Sequence, residues 1–219
     1  MKIAPSILSA DFSDLRTALE DCNQALADLI HLDVMDGHFV PNLTIGPAVV
    51  KSLRSHTRIF FDVHIMVSDP IFWIEPFVSA GADGITFHVE AAGQPGEVID
   101  YIRSFGKKVG ITLKPDTNIE LVEHFLERVD MILIMSVAPG FGGQTFIPES
   151  LDRIKEIRQF LDRQNLSERV SIQVDGGVDL NNAAEIAAAG ADILVAGSAI
   201  FETANPADTI QAFRNIFDK

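Results

Sequence analysis

The chain has little cysteine, little positive charge and no long hydrophobic run, and each shortage excludes a class of protein. Cys22 is the only cysteine among 219 residues, so no disulfide can form within the chain. Because the first seven residues carry no signal-peptide pattern, we expect a protein of the reducing cytoplasm. No stretch approaches the roughly 18 consecutive apolar residues of a spanning helix, so we expect no membrane partner.

The charge balance narrows the partners further. Lys and Arg number 17 against 31 Asp and Glu, which gives a formal net charge of −14. This balance disfavours nucleic acid, because proteins bind it largely through Lys and Arg on phosphates. A small phosphorylated ligand is still compatible with the negative net charge, since backbone N–H groups of glycine loops bind phosphate without side-chain charge. Hydrophobic residues make up 47% of the chain, which is enough for a large core.

Short apolar runs alternate with amphipathic segments from one end of the chain to the other. The predicted strands are 3–6, 29–33, 59–65, 84–88, 109–113, 131–136, 171–175 and 193–196. The predicted helices are 12–27, 47–54, 70–79, 97–104, 119–128, 148–163, 181–189 and 206–217. Eight such units favour a parallel sheet closed into a (β/α)₈ TIM barrel, and we expect one domain over residues 1–219. An open doubly wound sheet is the alternative, but no Gly-x-Gly-x-x-Gly follows the first strand.

Two histidines and two aspartates stand at the predicted C-terminal ends of three strands. His31 and Asp33 are two residues apart on the second strand and therefore point the same way, while His64 and Asp175 close the third and seventh strands. Because the C-terminal strand ends of a barrel meet at one face, these four side chains should converge. They suit a divalent ion such as Zn²⁺, Fe²⁺, Mn²⁺ or Co²⁺ and also supply acid–base groups. The alternative is that each histidine packs or caps a strand and each aspartate forms a salt bridge.

Weaker candidates lie close to these residues in the sequence. Asp62 is expected to face with His64 and could orient it. His88 and Glu90 follow the fourth strand and are interpreted as a supporting or structural pair. Ser6, at the end of the first strand, could donate to a substrate oxygen or could satisfy its own backbone.

Glycine-rich loops follow the last three predicted strands. The sequence PGFGGQ at 139–144 follows strand six, and the pairs Gly176-Gly177 and Gly197-Ser198 follow strands seven and eight. Loops at these places usually form the phosphate cradle of a barrel, so they predict a phosphorylated substrate, although a mobile turn would explain any one loop alone. The predicted cradle residues are Gly140, Phe141, Gly142, Gly143, Gly176, Gly177, Gly197 and Ser198.

Taken together, these motifs closely resemble the ribulose-phosphate 3-epimerase family. The likeness runs along the whole chain, through APSILSADF at 4–12, HLDVMDGHFVPN at 31–42, DVHIMV at 62–67, PGFGGQ at 139–144, QVDGG at 173–177 and VAGS at 195–198. The resemblance implies a TIM barrel of the ribulose-phosphate-binding type. It also implies an isomerase of the pentose phosphate pathway that interconverts D-ribulose 5-phosphate and D-xylulose 5-phosphate, and a homo-oligomer.

The same resemblance implies roles for the candidate residues. One divalent metal ion would be bound by His31, Asp33, His64 and Asp175. Asp33 would accept the C3 proton and Asp175 would donate one to the other face of a cis-enediolate, with the roles exchanged in the reverse reaction. Ser6, His64 and Asp175 would contact the substrate, and the glycine loops would surround its phosphate.

Two positions depart from the family pattern, and three rival functions stay open. Lys114 and Ala138 stand where the family usually has asparagine before proline. We expect the truncation at Ala138 to make room for Lys114, whose ammonium would approach the substrate or a ligand carboxylate.

The rival functions are a 3-epimerase of a six-carbon ketose phosphate such as allulose 6-phosphate, an aldolase or decarboxylase on a similar barrel, and a non-catalytic phosphosugar-binding regulator.

Overall fold

Eight parallel strands alternate with helices in the computed structural model, which describes residues 1–217. The strands are β1 (Lys2–Pro5), β2 (Leu29–Met35), β3 (Phe60–Met66), β4 (Gly84–His88), β5 (Lys108–Leu113), β6 (Met131–Met135), β7 (Ser171–Asp175) and β8 (Ile193–Ala196). The helices are α1 (Leu15–Gln24), α2 (Pro47–Arg54), α3 (Pro70–Ala80), α4 (Pro95–Ser104), α5 (Glu120–Glu123), α6 (Ser150–Arg163), α7 (Ala183–Ala189), α8 (Ser198–Phe201) and α9 (Pro206–Asn215). Residues 218 and 219, which the predicted domain includes, lie outside the described residues.

The strands form one sheet that closes on itself. Their order is β1-β8-β7-β6-β5-β4-β3-β2, and every hydrogen-bonded pair is parallel. The two strands at the ends of this order, β1 and β2, are joined by a parallel bridge between Ser6 and His31. The predicted TIM barrel is therefore confirmed, and all eight C-terminal strand ends lie at one mouth.

Successive side chains along each strand point alternately toward the surrounding helices and into the barrel, and this alternation separates the hydrophobic core from the site. On β3, Phe61, Val63 and Ile65 are buried in the large hydrophobic core that also contains helix residues. Asp62 and His64 alternate with them and therefore point into the barrel. The same alternation on β2 turns His31 and Asp33 inward, so the barrel interior at this level is polar.

The predicted strands agree with the structure within two residues at either end, whereas the predicted helices 12–27 and 119–128 run three or more residues beyond the observed ones, and the short α8 has no predicted counterpart. Helix α1 begins at Leu15 because the Asp14 carboxylate accepts a hydrogen bond from the Thr17 N–H. It ends before Leu26, whose φ of 53° is left-handed. The predicted helix 119–128 is the short α5 followed by a 3₁₀ turn, Leu126–Arg128, since hydrophobic periodicity does not distinguish these helix types.

Within residues 1–217, no helix has both the length and the apolar character that crossing a bilayer requires.

Candidate active site

Four of the predicted site residues meet at the barrel mouth. The possible ligand atoms of His31, Asp33, His64 and Asp175 all lie within 4.8 Å of one another. The Asp33 Oδ1 atom is 3.4 Å from His31 Nε2 and 3.3 Å from His64 Nδ1. The Asp175 Oδ2 atom is 3.7 Å and 3.9 Å from the same two nitrogens. Two imidazole nitrogens and two carboxylate oxygens thus surround one centre.

The two histidine nitrogens that face this centre are buried and have no hydrogen-bond partner within residues 1–217. They are His31 Nε2 and His64 Nδ1, on side chains with no exposed surface. A buried polar atom without a partner costs about 1 to 3 kcal/mol, so this arrangement favours binding of a partner for both nitrogens at the centre. The opposite nitrogens of both rings are occupied, His31 Nδ1 by Asp62 and His64 Nε2 by His88.

Asp62 orients a different histidine from the one expected. Its Oδ2 atom lies 2.8 Å from His31 Nδ1 and also accepts a hydrogen bond of 2.7 Å from Gln173 Nε2. The expectation that Asp62 orients His64 is wrong, because the parallel register places Asp62 directly beside His31. Gln173 was not identified from the sequence, since its partner lies across the barrel.

The pKa values of the Asp33 and Asp175 carboxyl groups are shifted in opposite directions by burial and by the neighbouring charges. Burial alone would raise the pKa of Asp33, but the charge of His31 and the close approach of the His31 and His64 rings hold it well below its usual range. Ser6 Oγ also donates to Asp33 Oδ2 at 2.6 Å. Burial and the charge of Asp33 raise the pKa of Asp175 to about 6. Near neutral pH, Asp33 is therefore ionised while Asp175 is poised to exchange a proton.

A cavity of about 470 Å³ opens above this centre. Asp33 and Asp175 form part of its wall, together with Ser6. The predicted cradle residues line the same cavity: Gly140, Phe141, Gly142, Gly143, Gly176, Gly177, Gly197 and Ser198. The structure thus brings the acid–base candidates and the glycine loops into one pocket.

Two glycines after β7 allow the loop after β6 to pack against the strand end. Gly176 and Gly177 have φ values of 118° and 64°, in the range that side chains disfavour. A Cβ atom at Gly177 would lie 2.3 Å from the backbone nitrogen of Phe146. The Ser136 hydroxyl lies 2.7 Å from the Gly176 carbonyl oxygen and 2.9 Å from that of Asp175, so its single proton is donated to this turn and holds it in place.

The glycine loop after β6 is held by amide side chains that sequence reasoning did not single out. Gln144 Nε2 donates to the carbonyl oxygens of Ala138 and Phe141 at 2.7 and 2.8 Å. Asn42, from the loop after β2, donates to the Gly140 carbonyl at 2.7 Å. Both amides stand inside motifs of the family resemblance, but their partners depend on how separate loops meet.

Of the two expected positions for the Lys114 ammonium, the one beside a ligand carboxylate is not the one that the structure shows, and the approach to substrate stays a prediction. Its ammonium lies 4.4 Å from the centre of the Phe39 ring, in a cation–π contact. Ala138 is exposed, and its carbonyl is used by Gln144. In this structure the ammonium thus contacts an aromatic face instead of a site carboxylate.

Comparison with known proteins identifies the family. Residues 2–201 match the Ribulose-phosphate 3 epimerase family. A ribulose-phosphate 3-epimerase of Synechocystis sp. is 48% identical over 215 residues, which cover 97% of this chain and 93% of that protein. The ribulose-phosphate 3-epimerase of Escherichia coli K12 is 47% identical over 215 residues, with 97% and 94% covered.

A solved structure supports the fold independently. The 3-hexulose-6-phosphate synthase from Salmonella typhimurium superimposes with a TM-score of 0.71, covering 99% of this chain and 98% of its own, at 19% identity. At that identity the likeness concerns the barrel alone. The family match and the sequence identities of nearly one half show more than the fold. They show that the chain is a member of the ribulose-phosphate 3-epimerase family of isomerases, as its motifs predict.

Proposed function

We propose that the protein is a metal-dependent ribulose-phosphate 3-epimerase. It would interconvert D-ribulose 5-phosphate and D-xylulose 5-phosphate by removing the C3 proton and returning a proton to the opposite face. The convergence of Asp33 and Asp175 on a centre with two unpartnered histidine nitrogens supports this reaction best. A protein that only binds a phosphosugar has no need of two such carboxyl groups.

The residues around the centre fit one divalent ion. His31 Nε2, His64 Nδ1 and one oxygen each from Asp33 and Asp175 would hold it. Two nitrogen and two oxygen donors suit Zn²⁺, Fe²⁺, Mn²⁺ or Co²⁺. Such an ion supplies Lewis-acid stabilisation of the negative charge that develops on sugar oxygens, worth several kcal/mol. The hydrogen bond from His31 Nδ1 to Asp62 would keep the Nε2 lone pair free for it.

Asp33 is suited to accept the C3 proton. A C–H group beside a ketone is a weak acid, and its removal leaves a planar cis-enediolate. The depressed pKa of Asp33 keeps this carboxylate ionised at neutral pH, ready to act as the base. The hydrogen bond from Ser6 to Asp33 Oδ2 holds its orientation, and the Ser6 oxygen also lines the substrate cavity.

Asp175 is suited to return a proton on the other face. Inversion at C3 requires two groups on opposite sides of the planar intermediate, and Asp33 and Asp175 come from β2 and β7, three strands apart around the barrel. With one oxygen toward the metal, Asp175 would hold and release the proton on its other oxygen. In the reverse reaction the two carboxyl groups exchange roles.

The glycine loops are suited to the substrate phosphate. Three loops, at 140–143, 176–177 and 197–198, line the cavity. Their backbone N–H groups would bind a phosphate without cationic side chains, in keeping with the net charge of −14. The placement of Ser6, His64 and Asp175 against the sugar, a single domain over residues 1–219, a homo-oligomer and a cytoplasmic location stay predictions.

Chelation and metal add-back test this function. Purified protein is treated with a chelator, its metal content is measured, and epimerisation of D-ribulose 5-phosphate is followed before and after addition of Zn²⁺, Fe²⁺, Mn²⁺ or Co²⁺. We expect loss of turnover and recovery with at least one ion. Full activity in metal-free protein would contradict metal dependence. Faster turnover of allulose 6-phosphate in a parallel assay would assign the six-carbon substrate instead.

A further inference from the structure

His88 is a fully buried histidine that the proposed reaction does not use. It ends β4, and its Nε2 atom lies 3.0 Å from His64 Nε2, with the two rings stacked at 5.1 Å and 24°. Phe39 packs against the same ring, with the ring centres 4.8 Å apart. His88 therefore contacts the side of His64 that faces away from the carboxylate centre.

The hydrogen bond between these rings has a direction if His64 Nδ1 is to act as a ligand. A ligand nitrogen must carry a lone pair, so the proton of a neutral His64 must be on Nε2. That Nε2–H donates to His88 Nε2, which in turn must carry its own proton on Nδ1. His88 Nδ1 lies 3.5 Å from Glu90 Oε2, which is a charge contact longer than an ordinary hydrogen bond, and the negative charge of the carboxylate favours the tautomer with the proton on this nitrogen.

Glu90 is itself fixed by the loop after β5. Its Oε1 atom accepts a hydrogen bond of 2.7 Å from the Lys114 backbone N–H and another from the Thr117 hydroxyl. A backbone N–H can only donate, so Oε1 must stay on the loop side and Oε2 on the side of His88. A carboxylate oxygen on that side cannot donate to His88 Nδ1, so its charge favours a proton there and thereby the direction of the hydrogen bond between His64 and His88.

Without these contacts to His88 and Glu90, His64 could adopt the other tautomer, with its proton on Nδ1, which would block metal binding. Its Nδ1 lies 3.3 Å from Asp33 Oδ1, so a proton on Nδ1 could donate to that carboxylate. We propose that His88, oriented by Glu90, is a positioning residue that holds His64 in the tautomer with Nδ1 free for the metal. This role rests on the proposed function, since it presumes that His64 is a ligand.

Glu90→Gln tests the role with almost no change of shape. The amide oxygen must remain opposite the Lys114 N–H, so the amide NH₂ group faces His88 and forces Nδ1 to accept. His88 then donates from Nε2, and His64 must carry its proton on Nδ1. We expect Zn²⁺ affinity, measured on the full chain by competition with a chelating dye, to fall about tenfold or more.

The matched control is Asp116→Asn, which removes the same charge from an exposed position in the loop after β5. We expect it to bind Zn²⁺ as the wild type does, and both variants to keep the unfolding temperature of the metal-free wild type. A second pair of variants, both at His88, distinguishes the effect of lost packing from the effect of a lost hydrogen bond. His88→Leu should weaken Zn²⁺ binding about tenfold to a hundredfold, whereas His88→Gln, which retains an acceptor for His64, should recover most of it.

The outcomes separate this role from the proposed function. Wild-type protein that fails to bind Zn²⁺ would overturn both. Wild-type binding with Glu90→Gln equal to Asp116→Asn would overturn the positioning role alone. Equal Zn²⁺ affinities in His88→Leu and His88→Gln would also overturn it. If His88 served only to pack the core, its replacement would change the unfolding temperature, but Zn²⁺ affinity would not depend on whether the new side chain can accept a hydrogen bond from His64.

Discussion

Replacing Asp175 by asparagine should stabilise the metal-free protein while it removes turnover. Burial and the charge of Asp33 raise the pKa of Asp175 to about 6 from 3.8. A carboxyl group with a raised pKa contributes stability at low pH that is lost as the pH rises from about 4 through about 6. At pH 8 the whole penalty is present, and a shift of about two pKa units corresponds to about 3 kcal/mol.

The asparagine removes this penalty at little other cost. Among the described residues, the side-chain oxygens of Asp175 accept no hydrogen bond, and asparagine has nearly the same volume. It cannot deliver a proton to C3, which removes a general-acid contribution of about a hundredfold to ten-thousandfold. The same substitution therefore moves stability and kcat in opposite directions.

The assay is thermal unfolding after chelation, at pH 8 and at pH 4, together with kcat for D-ribulose 5-phosphate. For a chain of this length about 1 kcal/mol shifts Tm by about 2 to 4 °C, so Asp175→Asn should raise Tm at pH 8 by several degrees. At pH 4 the difference should nearly vanish. A lower Tm at pH 8, or a kcat near that of the wild type, would refute the reasoning.

Two further substitutions test the cradle and the contact of Lys114. Gly177→Ala should lower the free energy of unfolding in urea by about 1 to 3 kcal/mol more than Gly143→Ala. Both glycines have left-handed φ values, but only at Gly177 would Cβ meet backbone, so equal losses would contradict the clash. Lys114→Met should cost about 0.5 to 1 kcal/mol of stability and leave kcat/KM within about threefold. A hundredfold fall in kcat/KM would instead place the ammonium at the substrate.

Strand ends and their chemistry could be predicted from the sequence because each depends on local pattern. Apolar runs of period two fix the strands, and the barrel rule then places His31, Asp33, His64 and Asp175 at one mouth. The glycine loops follow from the same rule. Those predictions need only the position of a residue within its own strand.

The supporting contacts could not be predicted, because they depend on which strands are neighbours and in what register. Asp62 bonds His31 and not His64 because the β2–β3 register pairs residue 31 with residue 62. Gln173 reaches Asp62 only after the barrel closes. The contact of Lys114 with Phe39 likewise depends on how two loops meet above the strands.

Solvent labelling tests most directly the claim that two carboxyl groups handle the C3 proton on opposite faces. Conversion of D-ribulose 5-phosphate is run in D₂O to low extent, and the C3 position of product and remaining substrate is observed by proton NMR. Because Asp33 takes the substrate proton and Asp175 delivers one from solvent, the product should carry deuterium from the first turnover while the remaining substrate is unlabelled. A product that keeps the original proton would contradict the two-carboxylate mechanism.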